Sequence, residues 1–174
     1  MEQFDLPAGA RAVENEIRAQ FLAPLTDATA VSFREVAATE VFPGPALLTT
    51  KPLDFGQRSA LIDLNFPSGT GALVLSVSEP AAGVLATRVL AGQDVAIDAL
   101  LIDDCLGEIA NVIAGQGKAM LYGTERHYTF GTPRVASGLD RASFFEGRAE
   151  WYVLSFQSEL GMIFLQIADV TLAK

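Results

Sequence analysis

The sequence predicts an α+β protein in which an antiparallel β-sheet carries long helices packed on one face. Three observations predict it. Residues 59–77 and 151–167 each hold two strand-like runs joined by a turn. Apolar residues recur at helical spacing across 98–120, and prolines and glycines punctuate the chain where the period changes.

The first residues, MEQFDLPAG, read as a loose tail. From Arg11 to Leu22, Val13, Ile17 and Phe21 recur every four residues among polar neighbours, which predicts a short helix. Pro24 fits the first turn of a second helix over Leu25 to Val36, with Ala28, Val31, Ser32 and Glu35 as its mostly small stripe. Phe42-Pro43-Gly44-Pro45 ends anything helical. Residues 46–50 and 59–66 then follow the period of strands, 67–71 (PSGTG) supply turn chemistry, and 72–77 complete a hairpin. Ser78-Glu79-Pro80 is a helix start, and the helix continues through Ala82, Leu85, Ala86 and Val89 to Gly92. The next helix opens at Asp94 or Asp98. Past Leu121 strands return at 128–130, around Val135 after the Gly131-Thr132-Pro133 break, and in a closing hairpin of 151–156 and 162–167. Phe144 and Phe145, between these, read as a core pair or as an edge-strand contact.

Bulk properties narrow the function. The 174 residues can build one sizeable core; half are hydrophobic and 19% are charged, as in folded globular proteins. A net charge of -9, with no run of lysine or arginine, argues against a nucleic-acid partner held by counterion release. No apolar run approaches the roughly 20 residues that span a bilayer, so no membrane insertion is expected. A single cysteine, Cys105, and the lack of a leader-like start point to a reducing, cytoplasmic setting. His127 and Cys105 offer neither a metal-ligand cluster nor a histidine-based relay to a serine, and Gly69 and Gly71 belong to a turn, not a phosphate loop.

The most informative stretch is DDCLGEIANVIAGQGKAM, residues 103–120. As a helix it places Ile102, Cys105 or Leu106, Ile109, Val112 or Ile113, and Met120 on an apolar side. The opposite stripe is Asp104, Glu108, Asn111, Gly115 and Lys118, spaced by four, three, four and three. Gly107 and Gly115 flank its carboxylate and amide, although each glycine costs about 1 kcal/mol against alanine inside a helix. Close approach by another element or by a partner is the common explanation. On periodicity alone the stripe reads as an ordinary solvated face.

The spacing Asp104-x-x-x-Glu108-x-x-Asn111, inside LGEIANVIAG, resembles the active-site helix of the chemotaxis phosphatases of the CheX/CheC/FliY group, and most of all the single-site CheX type. The likeness extends to the 59–77 hairpin, to Ser78-Glu79-Pro80 and its helix, to the 131–138 segment and to the closing hairpin, about residues 24–172 in all. The resemblance implies a CheC/CheX-like domain over 24–174 preceded by a helical N-terminal extension, 1–23. It implies removal of the phosphoryl group from the phosphoaspartate of a CheY-like response regulator. Asn111 would orient the attacking water and Glu108 would pair with the receiver's lysine. Asp104, Gly107, Gly115 and Lys118 would meet the partner, with the two glycines giving clearance. Mg2+ would come from the receiver domain, with no cofactor of the chain's own, and a homodimer is possible within the group. The second copy of the motif found in two-site relatives is missing, since Ala38 follows Glu35 and Ala19 follows Glu16 at the asparagine position. Two other readings stay open: a non-catalytic receiver-binding or dimerisation domain, and a structural adaptor of the flagellar-switch type.

Overall fold

The computed structural model describes residues 9–53, 55–148 and 150–169; most of the expected N-terminal tail lies outside them. The strands are β1 (Arg11–Ala12), β2 (Phe42–Pro43), β3 (Leu47–Thr49), β4 (Arg58–Phe66), β5 (Gly69–Val77), β6 (Thr129–Phe130), β7 (Arg134–Ser137), β8 (Trp151–Ser158) and β9 (Gly161–Asp169). They form one antiparallel sheet in the order β1-β3-β8-β9-β5-β4-β6, with β2 also on β8 and β7 also on β4. Among the described residues, four α-helical segments accompany it: α1 (Asn15–Ile17), α2 (Ala23–Ala37), α3 (Glu79–Val89) and α4 (Ala99–Met120). This is the α+β arrangement that the two hairpins and the helical periodicity predict.

The long strands alternate because each face meets a different layer. Ile62, Leu64, Leu73, Leu75, Leu154, Phe156, Ile163, Leu165 and Ile167 point toward the helices and share a core with Leu25, Phe33, Leu85, Leu106, Ile109 and Ile113. The opposite face is covered as well. Leu61, Val74 and Trp151 pack under Phe144, which sits in a 3-10 segment over Gly138–Phe145, and Val153 and Phe164 pack under Leu53. Phe144 and Phe145 therefore belong to a second apolar layer and form no edge strand.

Three local expectations change. Arg11 and Ala12 are strand, paired with Leu48 and Leu47, so the predicted first helix begins only at Asn15. It runs into α2 without a break: a π-turn over Arg18–Leu22 leads into α2, whose first turn holds Pro24 as expected, and the Ala23 N–H bonds the carbonyl of Arg18. Proline has no N–H to give to the carbonyl four residues back, and a wider turn accommodates that loss. Phe21 and Leu22, just before the proline, are fully buried in the main core. Finally, α3 stops at Val89, three residues before Gly92, which lies in the following turn with φ +86°. The predicted starts stand where the capping chemistry puts them. Ser78 accepts from the N–H of Ala81, and Asp98 accepts from that of Leu101.

Candidate functional site

α4 lies against the sheet through Leu106, Ile109, Ala110, Ile113, Ala114 and Gly117, all buried. Met120, read from the sequence as part of this apolar side, is instead exposed at the helix end. With the apolar side fixed, helical geometry turns Asp104 and Glu108 to solvent and leaves Asn111, Gly115 and Lys118 half-buried along the same stripe.

A second element faces that stripe. β6 pairs with Leu64 and Asn65 of β4, and β7 pairs with residues 58–61. Between them, residues 131–133 leave the sheet edge, anchored by a 3.1 Å bond from the Gly131 N–H to the carbonyl of Asp63. The result is an open groove of about 740 Å3 lined by Asp103, Asp104, Gly107, Glu108 and Asn111 from α4, and by Phe130, Gly131, Thr132, Pro133 and Val135 from the facing segment. Residues separated by up to 32 positions thus share one concavity, and the stripe read from periodicity forms one of its walls.

The glycines divide differently from the expectation. A β-carbon on Gly107 would meet Pro133 and Val135 at 3.5 Å, so the close approach at this glycine comes from the chain's own groove wall. Gly115 has only Phe130 near, at 3.9 Å. The tight position is Gly117, which the stripe did not single out: a β-carbon there would stand 2.5 Å from the Tyr128 hydroxyl and 2.6 Å from Leu25. Lys118 extends over the Phe130 ring, its ammonium 5.9 Å from the ring centre.

Electrostatically the groove is acidic. Of its three carboxylates, Asp103 is neutralised from within by Arg58. Asp104 and Glu108 are exposed and, among the described residues, have no side-chain partner in the chain; the same holds for Asn111. Such a groove repels a free phosphate and attracts a cationic group. Burial, helped by the nearby Asp104 charge, pushes the Cys105 thiol up from its ordinary value, so it sits in the helix as an unreactive apolar residue. His127 stacks edge-on against Tyr122 at 5.5 Å, away from the residues that line the groove. Among the described residues, no group of three or more His, Cys, Asp or Glu side chains is placed to hold a metal ion, and no helix is long and apolar enough to cross a membrane.

Sequence reasoning missed Arg58. It is 5% exposed at the start of β4 and bonds both oxygens of Glu79, at 2.7 and 3.2 Å, the carbonyl of Ala99 at 3.1 Å, and Asp103. The hydrogen bond to Glu79 is the leading cause that raises its already high pKa; burial opposes the rise, and the Asp103 and Glu79 charges add to it. An arginine opening a strand that is buried on both faces was the available signal, because such a cation is retained only when paired.

Fold and site together define an α+β protein that presents a carboxylate and an amide from one helix face at an open groove. The chain belongs to the chemotaxis phosphatase CheX family, whose model matches residues 58–157. That span includes the whole of α4 and the facing 129–137 segment. No curated protein matches the sequence significantly. Among solved structures, the chemotaxis protein CheX of Desulfovibrio desulfuricans is similar at a TM-score of 0.73 and 19% identity, covering 88% of this chain and 99% of its own. A CheC-like superfamily protein of a Shewanella species is similar at 0.71 and 24%, covering 86% and 96%. CheX of Borrelia burgdorferi, solved as a complex with CheY, BeF3 and Mg2+, is similar at 0.69 and 18%, covering 85% and 96%. At these identities the likeness is one of fold.

Proposed function

We propose that this chain hydrolyses the phosphoaspartate of a CheY-like receiver domain. One observation carries the reading: Glu108 and Asn111, one helical turn apart, line the same open groove and are engaged by no side chain of their own protein among the described residues. A carboxylate and an amide left unpaired in a concavity are free to meet groups on a partner. The family match and the fold shared with a CheX that was solved bound to CheY support the choice of partner.

The chemistry follows from the two side chains. An aspartyl phosphate is an activated acyl phosphate, so hydrolysis needs a positioned nucleophile and arranged charge, with no covalent intermediate on the phosphatase. The Asn111 amide both donates and accepts, and holds a water in line with the phosphorus–oxygen bond to the aspartate. Water oxygen bonds to phosphorus as that bond breaks, releasing inorganic phosphate and the free carboxylate. Glu108 takes a charge-assisted bond from the receiver's lysine, which suits the acidic groove. Mg2+ enters with the receiver. Asp104 contributes to the field that draws the receiver in, Gly115 keeps the stripe low beside Asn111, Gly107 lets the groove wall of Pro133 and Val135 close on the helix, and Lys118 with Phe130 borders the contact.

Decay of a 32P-labelled receiver, with and without the protein, tests this reading. Acceleration by wild type is expected. Tight receiver binding without acceleration would favour the non-catalytic alternative.

A further inference from the structure

We propose that Arg58 is a positioning residue for the groove, fixing the rotation of the N-terminal half of α4 and so aiming Glu108 and Asn111. The kinetic arm of this inference rests on the phosphatase reading above; the structural arm does not.

The first six residues of α4, 99–104, include no buried residue, and Leu100 is 73% exposed. Of these residues Ile102, partly buried, packs against the main core; fully buried positions begin at Cys105. The polar tie from this end of the helix to the sheet is the Arg58 guanidinium. Its backbone is held in the sheet between Val77 of β5 and Ser137 of β7, so the side chain projects from a strand paired on both sides. One edge of the fork grips both oxygens of Glu79 in the first turn of α3. The remaining nitrogen, Nη1, donates to the Ala99 carbonyl and to Asp103. Positions 99 and 103 are four apart and lie one above the other on the helix. A single nitrogen that grips both holds one side of α4 against the sheet, and the rigid fork resists rotation in a way that a lysine ammonium does not.

This matters because side-chain tips lie about 5–6 Å from a helix axis. A 20° rotation therefore moves them by about 2 Å, enough to spoil alignment of a nucleophile that catalysis needs placed to within about 1 Å. It also separates the roles of two adjacent groove carboxylates: Asp103 is committed to Arg58, and Asp104 is free.

The test compares wild type with Asp103→Asn and Arg58→Lys by 15N–1H correlation spectra, thermal melts and receiver dephosphorylation. Asp103 is one-third exposed, so its amide variant is the gentler of the two. Amide resonances of residues 99–111 are expected to move together in both variants while those of β8 and β9 stay. The kcat should fall about 10-fold, with the KM for the receiver held within about 2-fold. Lysine at 58 should fail to rescue. If Asp103→Asn only lowers the melting temperature and leaves both the 99–111 resonances and kcat of the folded protein unchanged, Arg58 is merely structural and the inference is overturned. If wild type dephosphorylates no receiver, the functional reading fails, and the movement or stillness of residues 99–111 alone decides the role of Arg58.

Discussion

The hydroxyl of Tyr128 stands 2.5 Å from the point that a β-carbon on Gly117 would occupy, and it donates a 2.8 Å hydrogen bond to the carbonyl of Ala114. Tyr128 and Gly117 thus form the seat on which the C-terminal half of α4 rests. The glycine in this helix with no room beside it faces inward, toward Tyr128 and Leu25, away from the groove.

Glycine-to-alanine changes along α4 should therefore split by position. Gly117→Ala is expected to destabilise by about 1–3 kcal/mol, because overpacking outweighs the roughly 1 kcal/mol gain in helix propensity. Gly115→Ala, with Phe130 at 3.9 Å, should be neutral or stabilising by up to about 1 kcal/mol. Urea unfolding midpoints of the two variants measure the difference. Equal effects would show that the seat yields without cost.

Tyr128 also predicts how stability depends on pH. Burial pushes its phenol well above the ordinary value of 10.0. A pKa higher in the folded than in the unfolded state means that the unfolded chain loses the proton first. The stabilisation is complete below pH 10.0 and is lost as pH rises beyond it, by up to about 1.4 kcal/mol per pH unit. Cys105, also raised by burial, acts with the same sign from its ordinary value of 9.0. Stability measured from pH 8.5 to 11.5 should decline, and Tyr128→Phe should remove the part that begins near 10. An unchanged alkaline slope in the phenylalanine variant would contradict this assignment.

How much of this was legible before folding depends on the range of the interaction. The hairpins, the helix starts at Ser78 and Asp98 and the exposed stripe on α4 are set by neighbours within four residues, so period and capping chemistry reveal them. Gly107 and Gly117 look alike in sequence. Only tertiary contact distinguishes the one beneath Pro133 from the one beneath Tyr128. Arg58 reaches Asp103 across 45 positions, and no local pattern encodes that pairing. The strand at Arg11 and Ala12 forms because β3 offers an edge, which overrides the helical period of the residues around it.

The acidic groove should govern association more than chemistry. Asp104→Lys is expected to slow receiver binding several-fold at low ionic strength, and added salt should shrink the difference, because exposed charges steer encounter and are screened. Stopped-flow association rates from 20 to 500 mM salt provide the check. A salt-independent deficit would place Asp104 in direct contact chemistry instead.

Glu108→Gln keeps the shape of the side chain and removes its charge. On the proposed pairing with a lysine it should weaken binding of the beryllofluoride-activated receiver by about 10-fold, the scale of a charge-assisted hydrogen bond of 1.5 kcal/mol or somewhat more. Isothermal titration of both proteins measures it. Wild-type affinity in the glutamine variant would mean that Glu108 does not meet a cation on the receiver.

The most direct measurement follows the decay of a phosphorylated CheY-like receiver in the presence of wild-type protein and of Asn111→Ala, with receiver affinity measured alongside. The expected result is acceleration by wild type, and loss of most of that acceleration, 100-fold or more on the scale of about 3 kcal/mol for a misplaced nucleophile, in a variant that folds and still binds. An Asn111→Ala protein that speeds decay as well as wild type would contradict the account.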